Sequence, residues 1–339
     1  MEKYRQFADS STGINPFVPT WETNKKKKWI NIIVLPILIL RFLILVPTSI
    51  ILALFLSILD FIYFDHLRVI FSSILAPGLS RIVLLLLGCI WINEDLETRF
   101  NDLQLDIKKN QLGNEKCCKL VFSNRQSFID ILIYLILLKD PKYMFARKSC
   151  LICIKNPLVA ILYSFDIQIS YSVTILTNST MFLSNLNSPR SVVVFMEEVN
   201  TNGSCILKWN PNKCLNLSTR NIILNNINLY RISYHSQFHY GPQFTTGNTT
   251  YHLLKMIFNL PFYIAEIKMI PNQYIFNTIN NITSKNINNH DHIENMNDYL
   301  DYLLNIQSDI NKIPIVIRSI EDYKKFIKYW NNTQKKSYI

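Results

Sequence analysis

The chain opens polar. Met1 to Thr23 carry Pro16 and Pro19 with little apolar patterning, which predicts an irregular cytosolic tail. Lys25-Lys26-Lys27-Lys28 follows. Apolar positions then run from Trp29 to Leu59, broken only by Arg41, Pro36, Pro47 and a few hydroxyls. A helix over that run is long enough to cross roughly 30 Å of hydrocarbon. The polar stretch Asp60 to Arg68 leads into a second apolar run, Val69 to Ile92, weakened as a span by Pro77, Gly78 and Arg81. The pair predicts a helical hairpin that either spans the bilayer or enters one leaflet. One span followed by a buried core helix is the alternative that length leaves open. The four lysines favour a cytosolic N-terminus, and a hairpin returns the chain to that side. The apolar run is too long for a cleavable leader, and no small-residue cleavage site follows it.

Beyond the hairpin the pattern changes to short apolar runs. Lys119-Phe122, Ile167-Ser170 and Ser191-Phe195 read as strands, and Phe128-Leu138 and Pro157-Tyr163 as helices. Alternation of this kind predicts an α/β fold with a partly parallel sheet flanked by helices, preceded by the N-terminal hydrophobic hairpin. The expected division is a polar, basic tail over 1–28, a membrane hairpin over 29–92 and an α/β domain over 93–270. An Asn-rich linker with a basic C-terminal segment takes up 271–339. Lys324 to Lys336 is either a solvated end or a helix on an anionic membrane surface.

Composition sharpens the class. Of the 339 residues 49% are hydrophobic and only 17% charged, and the net charge is +11. A basic, apolar chain suits an anionic partner such as a membrane or a phosphorylated substrate. Nucleic acid is disfavoured, because the basic residues form no stripe interleaved with aromatics. Seven glycines, with no fingerprint among them, exclude a P-loop and a dinucleotide motif. Seven scattered cysteines, with one lone CxxC at Cys150 and Cys153, read as buried thiols rather than a metal site in a reducing compartment.

The chemistry concentrates at Ser123-Asn124-Arg125-Gln126-Ser127-Phe128-Ile129-Asp130. It lies between a strand-like run and a helix-like run, so it reads as a tight loop opening a helix, with Ser127 as N-cap. With Arg125→His it would read Asn-His-Gln-Ser-Phe-Ile-Asp. That text resembles the first motif of the glycerolipid acyltransferases, the 1-acyl-glycerol-3-phosphate acyltransferase family. In that family the histidine takes a proton from the acceptor hydroxyl, and the aspartate orients it. Here Arg125 stands at the histidine position. A guanidinium cannot accept a proton near neutral pH. The resemblance implies that, with the family geometry kept, Arg125 and Asp130 form an ion pair in place of the His–Asp dyad.

Further blocks extend the resemblance. Ala146-Arg147-Lys148-Ser149 lies where the family carries a basic stretch, and Arg147 and Lys148 are either phosphate ligands or ordinary surface charge. Phe195-Met196-Glu197-Glu198-Val199 with Asn202-Gly203 is similar to the family's Phe-Pro-Glu-Gly-Thr block. Glu197 keeps the glutamate thought to hold the acceptor, whereas Glu198 replaces the glycine and adds a negative charge. Thr12-Gly13-Ile14 and Pro16-Phe17-Val18-Pro19 resemble the start of the fungal lysophosphatidic acid:oleoyl-CoA acyltransferases, a branch of the family. The likeness runs to about Trp209.

The resemblance implies a membrane-bound transferase. It would pass a fatty acyl group from acyl-CoA, as co-substrate and without a cofactor or metal, to lysophosphatidic acid. The location implied is the endoplasmic reticulum membrane and lipid droplets, with the catalytic region facing the cytosol. Arg125 and Asp130 are the expected catalytic positions, and Glu197, Gly203, Arg147 and Lys148 the expected substrate contacts. The alternative is a catalytically silent relative that binds lipid or acts as a scaffold. His235 and His239 lie outside the motif and are candidates for a substitute base.

Overall fold

The computed structural model describes residues 2–19, 28–96, 120–148, 150–165, 173–176, 179–186, 188–209, 227–236, 241–258, 263–270, 272, 275 and 296–336. Lys25 to Lys27, the expected strand Ile167-Ser170 and His239 lie outside them.

Two long apolar helices, α1 (Lys28–Leu59) and α2 (Asp65–Leu87), follow the N-terminal segment. Pro36–Leu59 and Asp65–Leu87 are each long and apolar enough to cross a membrane. Their outer faces are open: Leu43, Leu54 and Ile74 are all at least 60% exposed. The second helix stops at Gly88, whose φ of +100° carries its N–H back to the carbonyls of Leu84 and Leu85. Strand β1 (Cys89–Leu96) starts at once, so the expected domain boundary at 92 falls inside a strand.

An eight-stranded sheet runs β1-β9-β8-β2-β6-β3-β4-β5. Its strands are β2 (Leu120–Ser123), β3 (Lys142–Arg147), β4 (Cys150–Ile154), β5 (Val173–Leu176), β6 (Val192–Phe195), β8 (Ile227–Ser236) and β9 (Tyr263–Ile270). β8, β2, β6 and β3 are mutually parallel, and β1 is parallel to β9. The pairs β8–β9, β3–β4 and β4–β5 are antiparallel. The central strands are apolar on both faces, as in Leu120-Val121-Phe122 and Val192-Val193-Val194-Phe195, because helices cover both.

Alternate residues feed two cores. Val121, Val193 and Phe195 pack with α1, α2, α3 (Ile129–Leu138), α4 (Pro157–Ser164) and α6 (Thr249–Phe258). Leu120, Phe122, Val192 and Val194 face the other way, onto α5 (Ser179–Leu186) and α7 (Met296–Asn311). The C-terminal region is therefore not a separate segment: Leu300, Leu303 and Leu304 of α7 are core residues.

A second small sheet pairs β7 (Ile206–Leu207) with β10 (Ile315–Val316), and α8 (Ile320–Lys336) follows. Residues 2–19 hold a 3-10 turn and otherwise irregular structure, as expected, but they pack on α8 rather than forming a free tail. Phe17 and Phe326 are fully buried, and Tyr4 stacks on Trp330 with ring centroids 5.0 Å apart. The basic stretch from Lys324 is thus neither a solvated end nor a membrane-surface helix. Tyr323, Phe326, Ile327 and Trp330 form one apolar stripe that docks onto the N-terminal segment.

The hairpin lies along the domain rather than away from it. Its turn is tied down by charge: Arg68 Nε donates to Asp140 at 2.8 Å, Arg68 Nη1 to Asp60 at 2.7 Å, and Arg190 Nη2 to Asp140 at 3.1 Å. At the other end, Arg41 of α1 donates to carbonyls in the last turns of two neighbours, Leu86 of α2 and Ile257 of α6. A cation at two helix C-termini is favourably placed, which accounts for the arginine within the apolar run.

Candidate functional site

The loop from Asn124 to Phe128 leaves the carboxyl end of β2, between β8 and β6. In open α/β sheets ligands bind at that edge. Nearly every group in the loop is engaged in holding its shape. Asn124 forms a reciprocal clip to Ile232 of β8, with Nδ2 and Oδ1 each 2.9 Å from the main chain. Gln126 Nε2 donates to the same carbonyl at 2.8 Å. The main-chain N–H of Phe244 donates to Gln126 O at 3.1 Å, and that of Thr201 donates to Arg125 O at 2.9 Å.

Asp130, in the first turn of α3, is fully buried beneath the loop. Its Oδ2 accepts from the N–H groups of Gln126 (2.7 Å) and Ser127 (2.9 Å), and its Oδ1 accepts the hydroxyl of Tyr234. Ser127 Oγ accepts from Ile129 N at 3.3 Å, but the N-cap position falls on Phe128 rather than on the expected Ser127, and the aspartate reaches back to the same turn. Burial pushes the Asp130 carboxyl up to about 6, against the pull of Tyr234 and the two amides.

Glu197, at the end of β6, is also fully buried. Oε2 accepts from Arg125 N at 2.7 Å and from the Thr201 hydroxyl at 3.2 Å, and Oε1 accepts from Leu207 N at 3.0 Å. Burial raises this carboxyl to about 7. The glutamate bridges three segments from below the loop and does not line the cleft described next.

What the loop presents is Arg125 alone. Its Nη1 donates to Glu198 O at 3.1 Å, and its Cζ sits 5.0 Å from the Phe145 ring centre and 5.7 Å from that of Tyr163. Nε is buried with no hydrogen-bond partner among the described residues. The expected ion pair with Asp130 is not formed, because both aspartate oxygens point to the main chain and to Tyr234. The guanidinium turns the other way, into a cleft of about 700 Å³.

Arg147, Lys324 and Glu198 share the polar wall of that cleft with Arg125. Tyr163, Phe165, Val199, Phe244 and Ile327 give it an apolar wall, and Asn248 and Thr249 bring the start of α6 to it. Glu198 Oε2 accepts from Ile320 N at 3.2 Å, which ties the first turn of α8 to the site, and burial raises its carboxyl above the usual range.

The sequence-predicted residues therefore divide. Arg125 and Arg147 come together on the cleft. Asp130 and Glu197 lie beneath the loop. Lys148 is in the turn between β3 and β4 at φ +50°, its carbonyl accepting from Trp209 Nε1 at 2.7 Å, and it is outside the cleft lining. Gly203 has φ +75°, and a Cβ there would fall 2.7 Å from Gln126 Nε2, so its small size admits Gln126 rather than a ligand. His235 is exposed and sits 2.5 Å from Glu266, away from the cleft.

Lys324, Phe165 and Phe244 were not singled out from sequence. The apolar stripe within the basic α8 is the signal that would have pointed to the first. His252 carries no motif signal in the sequence. It is buried behind Phe244, 4.9 Å between ring centres, and burial lowers it to about 4. No group of three His, Cys, Asp or Glu able to hold a metal occurs among the described residues. A scan of protein-family models, a search of curated proteins and a search of solved structures each find no match to this chain.

Proposed function

We propose that the protein is a membrane-seated, catalytically silent relative of the glycerolipid acyltransferases that binds an anionic lipid headgroup. Arg125 carries this reading. It occupies the position where the resembled family places its base, yet it lines the cleft as a cation with an unmet N–H donor. Arg147, Lys324 and the α6 N-terminus add positive potential around it, and the aromatic wall suits an acyl chain. Lysophosphatidic acid and acyl-CoA both have this chemistry: a phosphate joined to an apolar tail.

The hairpin supports a seat in one leaflet. A spanning hairpin carries its turn to the far side of the bilayer, whereas this turn is joined to the α/β domain through Arg68 and Asp140. The endoplasmic reticulum and lipid droplets, with the cleft open to the cytosol, are the location that goes with the reading.

Acyl transfer from acyl-CoA to lysophosphatidic acid is the second reading, and Glu198 favours it. A carboxylate on the cleft wall with a raised pKa is closer to a working general base at neutral pH. It would take the acceptor's hydroxyl proton as the oxygen attacks the thioester carbonyl and CoA leaves as the thiolate.

Purified protein in nanodiscs, given lysophosphatidic acid and oleoyl-CoA, separates the two. Binding that weakens about tenfold in Arg125→Ala or Arg147→Ala, without phosphatidic acid by mass spectrometry, supports the silent reading. Phosphatidic acid formation lost in Glu198→Gln supports the second. Absence of both binding and turnover overturns both.

A further inference from the structure

We infer that α6 is a third membrane-contacting element, lying in the lipid headgroup region beside the hairpin and holding the mouth of the cleft at the bilayer surface. The inference rests on the membrane seat of the hairpin and goes beyond it, since α6 lies some 160 residues further along the chain and is only ten residues long.

Three features carry it. First, α6 is two-faced. Met256 and Ile257 are buried in the core shared with α1 and α2, while Tyr251, Leu254 and Phe258 are 61%, 46% and 36% exposed. Spacings of three and four put those three on one stripe. A soluble domain does not ordinarily leave such a stripe open to water next to a second apolar surface.

Second, that surface is continuous with the hairpin. Phe258 stacks on Phe42 of α1 at 5.8 Å, and Arg41 reaches the Ile257 carbonyl at 3.5 Å. The residue after Phe42, Leu43, is 61% exposed. The apolar face of α6 thus extends the open face of α1.

Third, the stripe has the chemistry of an interface rather than of a hydrocarbon span. Tyr251 is amphipathic, and the Lys255 ammonium lies over its ring at 5.2 Å. A lysine can lay its stem along an apolar surface while its charge meets lipid phosphate. One occupant fits this combination: the headgroup and upper acyl region of the leaflet that holds the hairpin. The start of the same helix, Asn248 and Thr249, lines the cleft with Arg125. Lipid contact along α6 therefore brings the cleft to the level where a single-chain phospholipid presents its phosphate.

The test places an environment-sensitive fluorescent residue at position 254 or at position 54 of the full chain, reconstituted in phosphatidylcholine and phosphatidylserine vesicles. Contact at 254 is read as a blue shift on reconstitution and loss of emission with brominated lipid, with little loss to aqueous iodide. If position 54 reports lipid and position 254 reports water, the role of α6 is overturned and the hairpin seat stands. If both report water, the membrane seat itself falls. Position 258 repeats the α6 measurement should the residue at 254 disturb folding, and water there with lipid at 54 again overturns the role of α6.

Discussion

The main-chain nitrogen of Arg125 lies 2.7 Å from Oε2 of Glu197, so a carboxylate buried under the sheet edge holds the loop by its backbone and leaves the arginine side chain to the cleft. The same carboxylate takes Leu207 N on its other oxygen. Replacing it with an amide turns an NH2 group toward one of those donors. Glu197→Gln is expected to lower stability by about 1–3 kcal/mol at mildly acidic pH.

The pH dependence of that variant has a definite sign. Burial raises the Glu197 carboxyl from 4.5 to about 7. The folded chain therefore binds the proton more tightly than the unfolded chain. The contribution is fully present below about 4.5 and is lost as pH rises through about 7. Thermal unfolding of the detergent-solubilised protein between pH 5 and 8 should show the wild type losing stability relative to Glu197→Gln as pH rises. Parallel profiles for the two proteins would refute a titrating Glu197.

Restoring a histidine at position 125 should not by itself restore a catalytic dyad. Asp130 Oδ1 is taken by the Tyr234 hydroxyl, and Oδ2 by two amides. Arg125→His alone is expected to leave phosphatidic acid formation at baseline. Arg125→His with Tyr234→Phe frees Oδ1 to orient the imidazole and should exceed the single variant by roughly 10²-fold. A rise in the single variant would show that Asp130 releases Tyr234 readily.

Gly203 is tested by size. Its φ of +75° and the approach of Gln126 each oppose a side chain. Gly203→Ala is expected to cost about 1–3 kcal/mol in thermal or denaturant unfolding. Adding Gln126→Ala should recover the steric part and leave the backbone part. A Gly203→Ala protein as stable as wild type would mean that the loop moves freely.

Asp140 is buried between the guanidiniums of Arg68 and Arg190. Asp140→Ala leaves two buried cations without their shared anion and is expected to cost about 3–5 kcal/mol. Limited proteolysis should then cut first near the turn between α1 and α2. An unchanged digestion pattern would show that the network does not secure the hairpin.

The parts legible in sequence are those whose signals are local. The apolar runs at Leu120-Phe122 and Val192-Phe195 became central strands, and Ile129-Leu138 and Pro157-Ser164 became helices, because buried parallel strands and core helices are apolar throughout. Asp130 stands out through the motif it shares with the resembled family, and it serves the first turn of α3. Its partner Tyr234 lies 104 residues away and has no local signature. The same holds for Tyr4 on Trp330, where each aromatic reads as part of a polar stretch until the two meet. The resemblance misleads at one point: the family's dyad implies an Arg125–Asp130 pair, but nearer main-chain donors and Tyr234 take the carboxylate.

Asp140 also bears on modularity. Many membrane anchors are interchangeable because they join their domain through a linker alone. Here the apolar helix pair brings Arg68 to a carboxylate inside the domain and lays α2 along α3. Transplanted to a reporter, the hairpin would present an inward-facing guanidinium with nothing to meet it. Exchanged for a foreign anchor, it would leave Arg190 and Asp140 covered by a surface not shaped for them. The two apolar helices and the domain thus form one packed unit, and a substitution at Arg68 or Asp140 in one part has to be met by a matching change in the other.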